Sequence, residues 1–498
     1  MNVNPITRLD YPDPDVIRVE DTYYMVSTTM HFMPGCEILQ SFDLVHWEHA
    51  TYVYETLDHT DAQQLKSGQN IYGQGMWAAS LRYHEGRFYI CFVANDTRKT
   101  YLYTSEKIDG PWKKQLIEGF YHDGSLLFDE DGRNYIVYGN DEIWITELNE
   151  DLTAPKKDGL HRLLVSDHKN PELGYEGSHI QKINGYYYIF LIHSLRDRWM
   201  RTEACFYSDS LEGEFTGGDV LCDDRGYCGQ GVAQGGIVDT PDGKWYAMLF
   251  QDSGAVGRIP ILVPVTWKDH FPVFGQNGHV PEEIEVHSTR PGYIYQPLVG
   301  SDDFCNGLLP RWQFNHDPDP RYYHLDALQG TYTITTREVC TELTQAVNTL
   351  TQRMSYPSCA AEVTVDASAL KEGDVAGLCA LQGCYAAVGI TKHHGKYEVL
   401  MLDKKEDGIL DMTERTVVES HQMDFRLEAD FCNMKDEARC YYRVNKGNWL
   451  PIGTVHKLYF KLDHFTGCRF GLFCYAAEET GGSACFRDFK YYDVDEIS

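Results

Sequence analysis

The sequence predicts an all-β chain of two units, a five-bladed β-propeller over residues 1–298 followed by a β-sandwich over 299–498. Three observations predict it. An aromatic-rich strand behind a turn recurs five times in the first half. Short alternating runs without helical periodicity fill the second half. Aromatic residues, 34 Tyr among them, make up 13% of the chain, a richness that suits strands.

The repeat begins at Asp21-Thr22-Tyr23-Tyr24 before Met25-Val26-Ser27 and returns at Gly86-Arg87-Phe88-Tyr89 and Gly132-Arg133-Asn134-Tyr135. Its last copies are Gly185-Tyr186-Tyr187-Tyr188 and Gly243-Lys244-Trp245-Tyr246. The fourth residues stand at 24, 89, 135, 188 and 246, at blade-sized spacing. Turns such as Ser41-Phe42-Asp43-Leu44 and Ser208-Asp209-Ser210-Leu211 follow most copies and read as outer hairpins. The repeat stops after Trp267…Val273, and a polar, Pro-containing stretch from Pro281 to Pro297 leads to the boundary near 299. Beyond it, runs such as Ala360–Val365, Tyr385–Ile390 and Tyr397–Met401 form strands of a sandwich.

Composition narrows the function. With 44 Lys+Arg against 74 Asp+Glu the net charge is −30, which repels phosphate backbones and anionic lipid alike, so neither nucleic acid nor membrane is expected as a partner. No secretory pattern opens the sequence, and a cytoplasmic location is the expectation. The 15 cysteines include no Cys-x-x-Cys pair, and they read as reduced, mostly buried thiols rather than disulfides or a zinc site. Oligomeric assembly is left open, a homo-oligomer included.

Three acidic residues open or precede strands of different blades and can therefore face one channel mouth. Asp13 lies in Tyr11-Pro12-Asp13-Pro14-Asp15, where the prolines are expected to hold the backbone extended. Asp123 lies in Tyr121-His122-Asp123-Gly124-Ser125, and Glu176 in Tyr175-Glu176-Gly177-Ser178-His179. Asp13 and Asp123 also suit ordinary turns, whereas Glu gains no local bond there. As a set they suit glycosidic hydrolysis with inversion, which needs one carboxyl group as acid and another as base, ~6.5–9.5 Å apart. A third can hold the acid's pKa up.

The string Asn4-Pro5-Ile6…Tyr11-Pro12-Asp13-Pro14-Asp15-Val16-Ile17-Arg18-Val19, with Phe32-Met33-Pro34-Gly35 behind it, resembles the N-terminal signature of glycoside hydrolase family 43, which includes β-xylosidases and α-L-arabinofuranosidases. The Asp123 and Glu176 motifs match the family's second and third carboxylate motifs in order and approximate spacing. The resemblance implies Asp13 as general base, Asp123 as pKa modulator and orienter, and Glu176 as general acid. Gly257-Arg258-Ile259-Pro260 and Gly75-Met76-Trp77-Ala78-Ala79 resemble motifs whose Arg and Trp line the substrate pocket. Asp302-Asp303-Phe304, Trp312…Asp319 and Leu350…Arg353 are similar to the concanavalin-like sandwich of β-xylosidase-like members.

Some positions depart from the family pattern. Gly124 and Ala79 replace a Pro or Ala and an acidic residue, and Met30 stands where an aromatic often lines the sugar pocket. Gln234 stands where many relatives carry a channel histidine able to hold a metal or water, so no cofactor is required and a channel calcium is doubtful. The expected activity is release of terminal β-D-xylose from xylo-oligosaccharides, with α-L-arabinofuranosidase action as the alternative. A non-catalytic carbohydrate-binding propeller and an endo-arabinanase are the rivals. His122 is expected to make a structural hydrogen bond, His393-His394 to be a solvated turn, and Gly226…Gly231 lacks the Lys-Ser/Thr and helix of a phosphate loop.

Overall fold

The computed structural model describes residues 3–493. Five four-stranded antiparallel blades are arranged in sequence order, and each of the five aromatic repeats is the second strand of its blade: Thr22–Ser27, Arg87–Ala94, Asn134–Asn140, Tyr186–Ser194 and Trp245–Asp252. The innermost strands are Asp15–Val19, Met76–His84, Ser125–Phe128, Glu176–Ile183 and a broken fifth, Val232–Ala233 with Ile237–Asp239. Side chains of adjacent blades fill the wedges between them, as Tyr54, Phe92, Tyr101 and Tyr103 do with ring centroids 5.4–5.9 Å apart.

The ring closes without strand exchange. Asn4 grips the third strand of the last blade, giving its Nδ2 to Leu262 O and accepting from Leu262 N, both at 2.8 Å. Tyr11 N donates to Arg258 O and Arg18 pairs with Asp239 across the seam.

The second unit packs an eight-stranded sheet on a seven-stranded one around a core that includes Trp312, Phe425, Phe470 and Phe486. Residue 299 falls in the connection between the last propeller strand, Phe271–Phe274, and Gln313–Asn315. The units interlock more closely than two consecutive units suggest. Phe32–Met33, a strand of the first blade's loop, pairs with Gln313–Asn315 and forms the edge of the eight-stranded sheet. Buried Arg353 of the sandwich pairs with Glu37 at 2.8 Å and stacks over Tyr11. Among the described residues no helix is long and apolar enough to cross a membrane.

Candidate active site

At one mouth of the propeller a cavity of about 150 Å³ gathers Asp13, Trp77, Asp123, Glu176, Gln234 and Arg258. Six of the seven residues expected from sequence therefore meet in one place. Met30 does not reach the wall: it is fully buried, its backbone pairs with Met76, and its thioether accepts from Thr466 of the sandwich.

Arg258 apart, the innermost strands place these side chains by one device, a left-handed residue at the strand's channel end. Asp13 has φ 52°, Asp123 φ 48°, Gln234 φ 61°, and Gly75 and Gly177 serve the second and fourth blades. Asp13 is thus turned rather than extended, contrary to the expectation from its flanking prolines. The turn is held because Ser27 Oγ and Thr28 N both donate to Pro12 O. Such backbone costs of order 1–3 kcal/mol at a non-glycine residue and persists where the surroundings over-determine it. At Gly177 a Cβ would lie 2.6 Å from the Gln234 side chain, which explains the glycine after Glu176.

Asp13 is buried and fully engaged. Its Oδ1 accepts from Arg258 Nη1 at 2.6 Å and its Oδ2 from Thr28 Oγ1 at 2.6 Å. Arg258 also binds Asp252 and lies 3.8 Å from the ring centre of Phe465, a sandwich residue. Asp123 accepts from Gly177 N at 2.9 Å, and Glu176 accepts from Asn140 Nδ2 at 2.8 Å. His122 Nε2 sits between them, 3.5 Å from Asp123 Oδ2 and 3.7 Å from Glu176 Oε2, with no hydrogen-bond partner.

That imidazole sets the electrostatics, where sequence reading gave it only a structural bond. Burial works against its charge, but the Asp123 and Glu176 carboxylates outweigh burial and raise it to about 9. Asp123 is pushed up, by burial first and then by its acidic neighbours, against the pull of His122. Burial would raise Glu176 as well, yet its contact with His122, reinforced by Arg201 and Arg258, holds it below the usual carboxylate range. The carboxyl group raised in this cluster is therefore Asp123 and not Glu176, because the glutamate has Arg201 and Arg258 beside it as well as the imidazole that both carboxyls share.

Sequence reading missed Leu173, Arg201, Leu462 and Phe465 as wall residues. Arg201 is buried, its Nε lies 2.7 Å from Asp252 Oδ2, and its Nη1 has no partner. A signal for it existed. Arg201 opens the third strand of the fourth blade as Arg258 opens that of the fifth, so the repeat itself marks them as equivalent. Phe465 lies between the sandwich strands Leu450–Lys457 and Arg469–Ala476, and no motif ties it to the propeller.

Behind the cavity the channel carries its own cation. Arg82 Nη1 donates to Asp15 Oδ2 at 2.7 Å and its Nη2 to Ser125 Oγ at 2.7 Å, while His179 Nδ1 meets Asp15 Oδ1 at 3.0 Å. Those oxygens are already committed, and calcium needs six to eight.

A cavity this small, whose reactive groups are carboxyls, an imidazole and guanidiniums, suits acid–base chemistry on one sugar ring and defines a glycosidase-type site. The comparisons agree. Residues 3–272 match the model for glycosyl hydrolases family 43, and residues 301–492 that for the β-xylosidase C-terminal concanavalin A-like domain. The chain belongs to glycosyl hydrolase family 43. It is 27% identical to a β-xylosidase of Formosa agariphila over 99% of this chain and 89% of that protein. It is 26% identical to a non-reducing end α-L-arabinofuranosidase of Bacteroides ovatus over 66% of this chain and 63% of that one. A bifunctional GH43-CE protein of Bacteroides eggerthii superposes with TM-score 0.92 at 42% identity; all of this chain is covered, but it spans only 64% of that protein.

Proposed function

We propose that the protein removes single β-D-xylose units from the ends of short xylo-oligosaccharides with inversion. Asp13 acts as general base on water, Glu176 as general acid on the leaving oxygen, and Asp123 orients the glutamate's loop through Gly177 N and Ser178 Oγ. The proton that Glu176 delivers is held by His122 at neutral pH and reaches the carboxylate across 3.7 Å as the leaving oxygen gains charge. Arg258 holds the Asp13 carboxyl in place at 2.6 Å and Arg201 offers its unpaired Nη1 to a sugar hydroxyl. In this reading no metal takes part. The channel oxygens are bound to Arg82 and His179, and an ion on the His122, Asp123 and Glu176 cluster, whose ligand atoms lie within 4.8 Å of one another, would occupy the acid.

The observation that carries the exo reading is size. The cavity, whose wall Leu462 and Phe465 of the sandwich help to form, has a volume of about 150 Å³, below the ~300–1,000 Å³ of cavities that enclose drug-sized ligands, so one sugar ring fits and several do not. Xylose is favoured by the C-terminal domain type and the β-xylosidase relatives. The arabinofuranosidase relative supports α-L-arabinofuranose as the second reading. The test compares kcat/KM on aryl β-D-xylopyranoside and aryl α-L-arabinofuranoside, with and without EDTA, and follows the first anomer by NMR. Preference for the xyloside, α-xylose as first product and indifference to EDTA are expected. A preference for the arabinofuranoside would overturn the substrate, a β-anomer the mechanism, and loss of activity with EDTA the metal-free reading.

A further inference from the structure

Beside the catalytic cavity lies a second one of about 730 Å³, almost five times larger, in the cleft between propeller and sandwich. The two adjoin, since Leu462 lines both and Asp252 of the larger cavity pairs with Arg201 and Arg258 of the catalytic one. The propeller contributes Trp199 and Gln230 and the sandwich Tyr459, His456 and Asp436, so the cavity exists only when the units are docked. Its volume falls within the range of cavities that enclose small ligands, ~300–1,000 Å³.

We propose that this cleft binds the leaving-group side of a neutral oligosaccharide, the several sugar units beyond the one held in the catalytic cavity. The proposal rests on the exo-glycosidase reading, since an enzyme that encloses one ring must put the rest of the chain elsewhere. Half-buried Trp199 and Tyr459 offer ring faces of the kind that stack on sugars, and polar groups are set between them. His456 is buried, its Nδ1 is fixed by Asp403 Oδ1 at 2.7 Å, and its Nε2 has no hydrogen-bond partner in the protein. A buried unpartnered nitrogen is costly unless a ligand satisfies it. With Asp252 paired to Arg201 and Arg258, three further carboxylates, Asp403, Glu406 and Asp436, stand against two lysines, which disfavours uronic-acid-bearing chains and suits hydroxyl donors.

The test titrates the Glu176→Gln protein with xylobiose and with xylotetraose by calorimetry, each with and without Val455→Arg. Val455 is half exposed on the cavity wall, where an arginine fills the cleft without entering the core. Xylotetraose is expected to bind at least tenfold more tightly than xylobiose, and Val455→Arg to erase that difference. Trp199→Ala, which truncates one stacking face, is expected to shrink it. Equal affinities, no binding of either sugar, or a difference that survives Val455→Arg would each overturn the proposal. The proposed xylosidase activity is read separately, by wild-type turnover of the aryl xyloside. An active wild type with equal affinities loses only the cleft, and an inactive one whose variant still discriminates by length loses only the activity.

Discussion

Replacing His122 by Asn tests the proton path directly. His122 Nε2 makes no hydrogen bond, so the substitution deletes a charge without stranding a partner, while the backbone bond from Gly139 N to His122 O stays. In the wild type the last proton of the cluster is on the imidazole and leaves near pH 9, which places the basic limb of kcat/KM there. Without the ring, Asp123 and Glu176 share one proton between oxygens within 4.8 Å. Two unit charges at that separation repel by about 3.5 kcal/mol at an effective dielectric of 20 and by about 0.9 in bulk water. The repulsion raises the last carboxyl proton of the pair, yet a carboxyl so raised still loses it at lower pH than the imidazole does. The basic limb is therefore expected to move to lower pH. The assay is kcat/KM on xylobiose from pH 4 to 10, because a sugar leaving group needs the proton whereas an activated aryl group does not. A limb that stays near 9 would show that His122 does not hold the proton. A limb that rises would show that the imidazole only suppresses an independently protonated Glu176.

The other expectations concern the wall and the interface. Glu176→Gln should lower kcat on xylobiose by about 10²–10⁴-fold and spare aryl substrates with acidic leaving groups, and equal loss on both would refute the acid role. Phe465→Ala removes the ring 3.8 Å from the Arg258 guanidinium, a desolvated contact worth about 2 kcal/mol, so kcat/KM should fall about 30-fold; unchanged kinetics would mean that the sandwich does not complete the site. Arg201→Met should lower kcat/KM about 10–100-fold and lower the thermal midpoint, because it takes the partner 2.7 Å from buried Asp252 Oδ2 away. Asp10, buried beneath Arg258 N and Gly467 N, is raised from 3.8 to about 6. The folded state then holds the proton more tightly than the unfolded one, so this group costs stability as pH rises from 4 to 6, by up to about 3 kcal/mol. Asp10→Asn should remove that part of the decline, measured as the difference in unfolding free energy between pH 4 and pH 6.5.

The propeller was legible because its repeat is written in turn chemistry and alternation, and both act locally. Each of the five aromatic motifs became the second strand of a blade, and the three carboxylates fell at the channel ends of three innermost strands, Glu176 opening its strand and Asp13 and Asp123 just ahead of theirs. What the sequence hid is what depends on distant segments meeting. The prolines around Asp13 indicate extended backbone by their local sterics, but Thr28 and Arg258 pull both carboxylate oxygens to one side and the backbone turns with them. Met30 occupies the right place in the chain to line the cavity, yet Thr466 draws it toward the sandwich.

The same reasoning explains why the acid's electrostatics were misjudged. Counting like charges raises the pKa of whichever carboxyl is assigned the acid's role, and a sequence shows the count but not where the neighbouring imidazole stands. His122 is adjacent to Asp123 in the chain, yet it contacts both carboxylates almost equally, because the fourth blade brings Glu176 to within 3.7 Å of its Nε2. Once the cation serves both, the proton needed by the reaction need not reside on the residue that delivers it. A site arranged in this way can keep Glu176 ionised in the empty enzyme and protonate it only when a leaving oxygen arrives. The acid residue is then defined by its reach to that oxygen, and its resting pKa is set by the imidazole beside it.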